Sequence, residues 1–304
     1  MEFLYFKKKF MQRCIAKNLT DNTIKGYEEF FRSLEKYIIS IHKTKNYEDV
    51  TASDLRGYFI EAGKTMVGVT LVSYHRRMTT FYNFLVTDGL LTDNLMKRVE
   101  RPKAGKRVIQ SFTSSEVHKM INTYDVDCFI GRRNYTLLCL LLSTGLRRAE
   151  FLALNLEDIH LQDDFIRVIG KGDKERIIPI SKALTQILRK YLKARKEFLK
   201  TYPDTNAFII SRYRRRLKIS GSDSIFRKLR IDNNLKGKRF SAHIWRHTFA
   251  KAFLLNGGDV FTLQELLGHE DVETTKQYVT LSDTDKALQN ARYNPLDNKK
   301  WEYY

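Results

Sequence analysis

The stretch LLGHEDVETTKQYVTL, residues 266–281, decides how the rest of the chain is read. Leu266 and Leu267 close an apolar helix. Gly268 reads as its stop, because a helix end often needs the left-handed backbone that glycine adopts freely. Asp271 is placed to cap a second helix, with Thr274 and Thr275 in its first turns. That leaves His269 between two helices and Tyr278 on the second, among Lys276, Gln277 and Thr280. A lone tyrosine in such company is usually half-buried with its hydroxyl at the surface. The residues upstream give Tyr278 another reading.

The 304 residues are enough for two domains with sizeable cores. Fifty-four Lys and Arg face 35 Asp and Glu, a formal net charge of +19. That excess calls for a polyanionic partner, nucleic acid or an anionic membrane surface. No stretch approaches the roughly 18 to 20 apolar residues of a membrane span. The N-terminus, MEFLYFKKKFM, has no apolar run of signal-peptide length. Nucleic acid therefore leads, no membrane association is expected, and the expected compartment is the cytoplasm. Cys14, Cys128 and Cys139 are scattered, which fits a reducing compartment and no metal-site spacing.

The spacing predicts a mainly α fold with a small β-sheet, in two domains. Residues 1–100 read as a mostly helical domain. One helix carries Ile24, Tyr27, Phe31, Leu34 and Ile38 at helical spacing. Another opens at Thr51 with Asp54 in a capping-box position. A further one buries Leu71, Tyr74, Met78, Phe81 and Leu85 and stops at Gly89. Its other face offers His75, Arg76 and Arg77 as candidate DNA contacts. Residues 101–110 read as a basic linker, with Arg101, Lys103, Lys106 and Arg107 able to lie along a phosphate backbone. The alternative for each cluster is a solvated surface.

Residues 111–304 read as a second, mixed domain with a C-terminal tail. Thr113 and Glu116 form a capping box. FIRVI (165–169) and RIIPI (176–180) flank GKGDKE, the pattern of a β-hairpin. AFII (207–210) is expected as one more short strand. Arg214 and Arg215, in SRYRRRLK, add candidate DNA contacts.

Four sites join Tyr278. In TGLRRAE (144–150), Glu150 lies three residues after Arg147 and can orient its guanidinium, as a structural ion pair or as an anion clamp. Lys171 sits at the hairpin turn between glycines that permit close backbone approach. A turn lysine is otherwise merely solvated. In SAHIWRHTFA (241–250), His243 and Arg246 are three apart and share a helix face, with His247 expected to point elsewhere. His269 is the fourth. Two arginines can grip the nonbridging oxygens of a phosphodiester more tightly as charge gathers there. A phenol of pKa about 10 needs a base or an electropositive site to attack phosphorus. A leaving 5′-alkoxide needs an acid, and a lysine can serve. Such a set can transfer a phosphoryl group to tyrosine with no metal and no cofactor.

TGLRRAE, GKGDKERIIPI, HIWRH and LLGHEDVETTKQY, in that order and spacing, resemble the catalytic half of the tyrosine recombinases, the family of phage integrases and Xer recombinases. The match runs over about residues 110–285. The helical part before it resembles the family's core-binding domain more loosely. The resemblance implies a two-domain clamp around double-stranded DNA, with a homo-oligomer on DNA and a tetramer at synapsis. It implies that Arg147 and Arg246 bind the scissile phosphate, with Glu150 supporting Arg147. Lys171 would protonate the leaving 5′-oxygen, His243 would assist the tyrosine proton, and His269 would hydrogen-bond a phosphate oxygen. Tyr278 would be the nucleophile of a 3′-phosphotyrosyl link. Trp245 stands where an aliphatic residue is common, which should alter packing only.

Within that resemblance, a mobile-element integrase or transposase and an Xer-type chromosome-dimer resolvase compete. The high charge and the tail after Tyr278 lean toward the mobile element. A DNA-binding regulator without cleavage is the rival from another class, and the filled catalytic set speaks against it. A type IB topoisomerase would use similar chemistry without a specific site.

Overall fold

In the computed structural model, residues 3–42, 49–105, 111–170, 173–235 and 240–268 are described. The chain forms two compact units, Met1–Arg107 and Val108–Tyr304.

The first unit is built on aromatic spacing. Helix α1 (Phe3–Ala16) buries Phe3, Phe6, Phe10 and Cys14, one face of a helix. Helix α2 (Asp21–His42) answers with Tyr27, Phe30, Phe31, Leu34 and Ile38. Phe10 meets Tyr27, Phe31, Phe81 and Phe84 edge-on, with ring centroids 4.9–5.7 Å apart. Edge-to-face packing sets the positive ring edge against a negative face. Helix α3 (Ala52–Gly63) begins with the expected Thr51–Asp54 capping box. Helix α4 (Gly68–Thr87) buries Tyr74, Met78, Phe81 and Leu85, and Gly89 follows with φ +67°.

One expectation for this unit needs adjustment. His75 does not belong to an open basic face: its Nε2 lies 3.1 Å from the Val99 carbonyl, and its ring tilts against Phe59. The 3₁₀ turn Leu95–Arg98 leads to Val99, which is buried in the core of this unit. Arg98 there pairs with Asp93 at 2.9 Å. Arg101 and Lys103 are exposed, whereas Lys106 and Arg107 lie outside the described residues.

In the second unit α5 (Ser114–Ile121) starts on the Thr113–Glu116 capping box. Helix α6 (Phe129–Thr144) is the buried spine, packed between α8 (Lys182–Leu199) and α10 (Ala242–Leu255). Its Leu137, Leu138, Leu140 and Leu141 are fully buried. Gly145 ends it with φ +60°, and the short α7 (Arg148–Ala153) follows. The sheet is antiparallel in the order β1 (Ile159–His160), β2 (Phe165–Ile169), β3 (Glu175–Pro179). Helices α9 (Ile219–Asp232) and α11 (Val260–Leu267) complete the described part. No helix among the described residues is long and apolar enough to cross a membrane.

The expected hairpin is present, with Val168 opposite Arg176 and Ile166 opposite Ile178. The expected strand at residues 207–210 is not. That segment makes only isolated bridges, Asn155 to Ala207 and Ile210 to Arg216. Its backbone groups are shared between side chains and isolated backbone partners: the Phe208 N–H donates to the Leu154 carbonyl and the Leu217 N–H to the Ile209 carbonyl. Arg195 donates to the Ala207 carbonyl, the Tyr191 hydroxyl to Phe208, and Arg133 to Ile210. Backbone groups must be paired when buried, but a ladder is only one way to pair them.

Candidate active site

Three glycine and helix termini converge in the second unit. The last carbonyls of a helix lack intrahelical donors and sit at the negative end of its dipole. At the end of α11 three consecutive carbonyls each receive an arginine. Arg176 donates its Nε to Leu266 at 3.0 Å, Arg246 donates Nη2 to Leu267 at 2.7 Å, and Arg147 donates Nη2 to Gly268 at 2.9 Å. Gly268 takes φ +62°, the left-handed stop expected from the sequence. Arg246 also donates Nη1 to the Gly145 carbonyl at 2.9 Å, so the stop of α6 and the stop of α11 share one guanidinium.

Arg147 is the N-cap of α7, and its side chain keeps 37% exposure. Glu150 is buried at 5% and accepts the Arg147 backbone N–H at 2.7 Å and its Nη1 at 2.9 Å. It also accepts both Nη groups of Arg176, each at 2.9 Å. Burial pushes the Glu150 carboxyl up, but the hydrogen bonds and charge of Arg176, then of Arg147, outweigh it and hold the pKa below the ordinary value. A carboxylate with four donors stays ionised and fixed.

On α10, Arg246 is buried at 2% and His243 is exposed. Desolvation on the protein side and the Arg246 charge hold His243 below the ordinary imidazole pKa. It is therefore neutral near pH 7 and able to accept a proton. His247 does not point elsewhere. Its Nε2 is 2.9 Å from that of His243, and the two rings meet edge-on. The two are four residues apart, which is the same helix face. Trp245 is fully buried against Phe112.

Of the residues singled out from sequence, the structure brings together Arg147, Glu150 and Arg246 around the α11 terminus, with His243 on the same helix as Arg246. Lys171, His269 and Tyr278 lie outside the described residues. So does the tail. The hairpin ends that flank Lys171 are closed by the Gly170 N–H donating to the Lys174 carbonyl at 2.8 Å. Arg176 was missed. Its signal was strand alternation: Arg176 and Ile178 share the inward face of β3, where an arginine needs an internal partner.

Of the candidate DNA contacts, Arg76 is exposed and Arg77 half-buried, beside Asn22, Thr23 and Tyr27 in a groove of about 310 Å³. Arg215 is exposed, in a cleft of about 770 Å³ that Arg212, Arg216, Lys218 and Lys228 also line. Arg214 is engaged within the fold. Its guanidinium stacks 3.8 Å from the Tyr202 ring centre, and its Nε donates to the Phe198 carbonyl.

Comparison with known proteins agrees with this geometry. The phage integrase family model matches residues 110–285. The tyrosine recombinase XerD of Listeria innocua is 32% identical over 266 residues, 87% of this chain and 89% of that protein. The XerD of Halalkalibacterium halodurans is 30% identical over 97% of this chain and 96% of its own length. Among solved structures, the Tn1549 transposon integrase in complex with transposon right end DNA superposes with a TM-score of 0.76 at 18% identity. The match covers 97% of this chain and 99% of that one, and it shows a shared fold. The chain belongs to the phage integrase family and is a tyrosine recombinase, a site-specific enzyme of DNA strand cleavage and joining.

Proposed function

We propose that Tyr278 is the nucleophile and that Arg147 and Arg246 hold the scissile phosphate. The observation that carries this reading is the pinning of both arginines to adjacent carbonyls, Gly268 and Leu267, where the chain leads into the Tyr278 segment. The tyrosine oxygen bonds to phosphorus and the bond to the 5′-oxygen breaks. His243 takes the phenol proton, Lys171 gives a proton to the leaving 5′-oxygen, and His269 donates to a phosphate oxygen. Glu150 keeps Arg147 aimed. Ligation reverses the step with a 5′-hydroxyl from the partner strand, so the phosphodiester energy is conserved and no nucleotide is consumed. Recombining two duplexes requires four cleavages, hence four tyrosines and a tetramer on DNA.

The first unit is proposed to act as a DNA-binding module, with Arg76 and Arg77 on its groove. Arg101, Lys103, Lys106 and Arg107 would lie along a phosphate backbone. Arg212, Arg215, Lys218 and Lys228 make the cleft of the second unit an electropositive surface for phosphates. For biological role, the net charge of +19 favours a mobile-element integrase. The match to XerD along nearly the whole length favours the Xer-type role. Phage or transfer genes beside the coding sequence would favour the first, and their absence the second.

The chemistry is tested with a nicked duplex carrying the site that the chain selects from random-sequence DNA. Wild type should form a denaturant-resistant protein–DNA adduct. Tyr278→Phe should bind with unchanged affinity and form none. An adduct of normal yield in Tyr278→Phe would remove Tyr278 from the role.

A further inference from the structure

The elements bearing the proposed catalytic groups come from distant parts of the sequence. Arg147 and Glu150 belong to the α6–α7 turn, Lys171 to the β2–β3 connection, and His269 to the chain just after α11. No covalent link fixes one against another. Arg176 touches all three. It stands on β3, five residues past Lys171. Its two Nη groups reach the two oxygens of Glu150, and its Nε reaches the Leu266 carbonyl. Its side chain is 13% exposed.

We infer that Arg176 is a positioning residue of the strand-cleavage step: it locks the Lys171 hairpin, the Glu150–Arg147 pair and the end of α11 into one frame. The inference rests on the recombinase chemistry proposed above and adds a residue that does not touch DNA. Two further observations bear on it. Each Glu150 oxygen accepts once from Arg147 and once from Arg176. Removing Arg176 leaves the carboxylate with half its donors and cuts the tie between the Glu150–Arg147 pair and the β2–β3 hairpin. A Cβ at Gly268 would lie 3.1 Å from the Arg176 Cδ and from its Nη1. The arginine stem thus runs close enough to the α11 stop that a side chain at Gly268 would press on it, besides the strain at its φ.

Lysine cannot replace this grip. A guanidinium offers a rigid planar fork whose three N–H directions meet three acceptors at once, whereas an ammonium is a point charge on a flexible stem. A misplacement of about 1 Å in a reacting constellation costs on the order of 10²-fold in rate. The alternative is that Arg176 merely stabilises the fold, in which case a folded variant would cleave normally.

The test measures the rate of covalent adduct formation on the same selected, nicked duplex, at saturating DNA, with the full-length chain. Arg176→Ala should slow it about 10²-fold while the affinity for the intact duplex stays within about threefold. Methylguanidinium should restore part of the rate in Arg176→Ala and leave wild type unchanged. In a Glu150→Gln background the further loss on Arg176→Ala should shrink to a few-fold, because its partner is already impaired. Arg176→Lys, which keeps charge and fold as judged by thermal melting, should still be slower about tenfold. The inference is overturned by wild-type rates in folded Arg176→Lys or Arg176→Ala, or by an undiminished loss in the Glu150→Gln background. An absence of any Tyr278-dependent adduct from wild type would instead sink the recombinase chemistry itself, and this inference with it.

Discussion

Glu150 shows how much one side chain is asked to do. It is a buried carboxylate that accepts four hydrogen bonds from two arginines. Its folded-state pKa is lowered from the ordinary 4.5. A group of that kind stabilises the fold fully above its unfolded pKa and loses the contribution as pH falls through the folded value. Glu150→Gln should therefore be less stable than wild type by about 3 kcal/mol at pH 7, the scale for breaking a buried ion pair. The gap should hold down to about pH 5 and narrow below pH 4.5, where the unfolded wild-type chain takes up its proton while the folded one is still ionised. Urea unfolding of both proteins across that range checks the sign. A gap that widens as pH falls would contradict the lowered pKa. At the same scale, the Arg147–Glu150 pair was legible from a spacing of three. The His243–His247 contact was misread, because adjacency to Arg246 hid the spacing of four between the two histidines.

At the scale of elements, two glycine stops place the site. Gly145 ends α6 with φ +60°, and a Cβ there would meet the Phe249 Cδ1 at 2.4 Å and the Leu267 Cδ2 at 2.8 Å. Helices α10 and α11 therefore press on the turn that precedes Arg147. Gly89 has a similar φ, +67°, with nothing within 4 Å of such a Cβ. Gly89→Ala should cost only the backbone term, about 1 kcal/mol. Gly145→Ala adds overpacking of about 1–3 kcal/mol and should also slow adduct formation. Unfolding of each variant against wild type measures the difference. Equal losses for the two would mean that α10 and α11 do not bear on the α6 turn. Helix boundaries and capping boxes at Thr51 and Thr113 were readable because those signals are local. The strand expected at residues 207–210 failed because β propensity does not say which partner takes the backbone groups.

At the scale of the whole molecule, the charge of +19 is the dominant fact. Each phosphate neutralised on DNA releases counterions, so affinity should fall by roughly 0.9 log unit per log unit of salt for every such contact. Arg215→Ala, in the cleft of the second unit, should weaken binding across all sequences and reduce that slope by about one phosphate. Titration at several salt concentrations measures it. An unchanged slope would remove that cleft from the DNA-binding surface.

The sequence by itself determined the helical class, the hairpin, the glycine stops at Gly89 and Gly268 and the ordered motifs that mark the family, because each depends on a few neighbouring residues. Tertiary structure decided which groups meet. Only the fold brings Leu266, Leu267 and Gly268 to Arg176, Arg246 and Arg147, contacts that span 90, 21 and 121 positions. Local periodicity carries no information over such distances. The unpaired carbonyls at a helix end attract cations, but packing chooses which cations arrive.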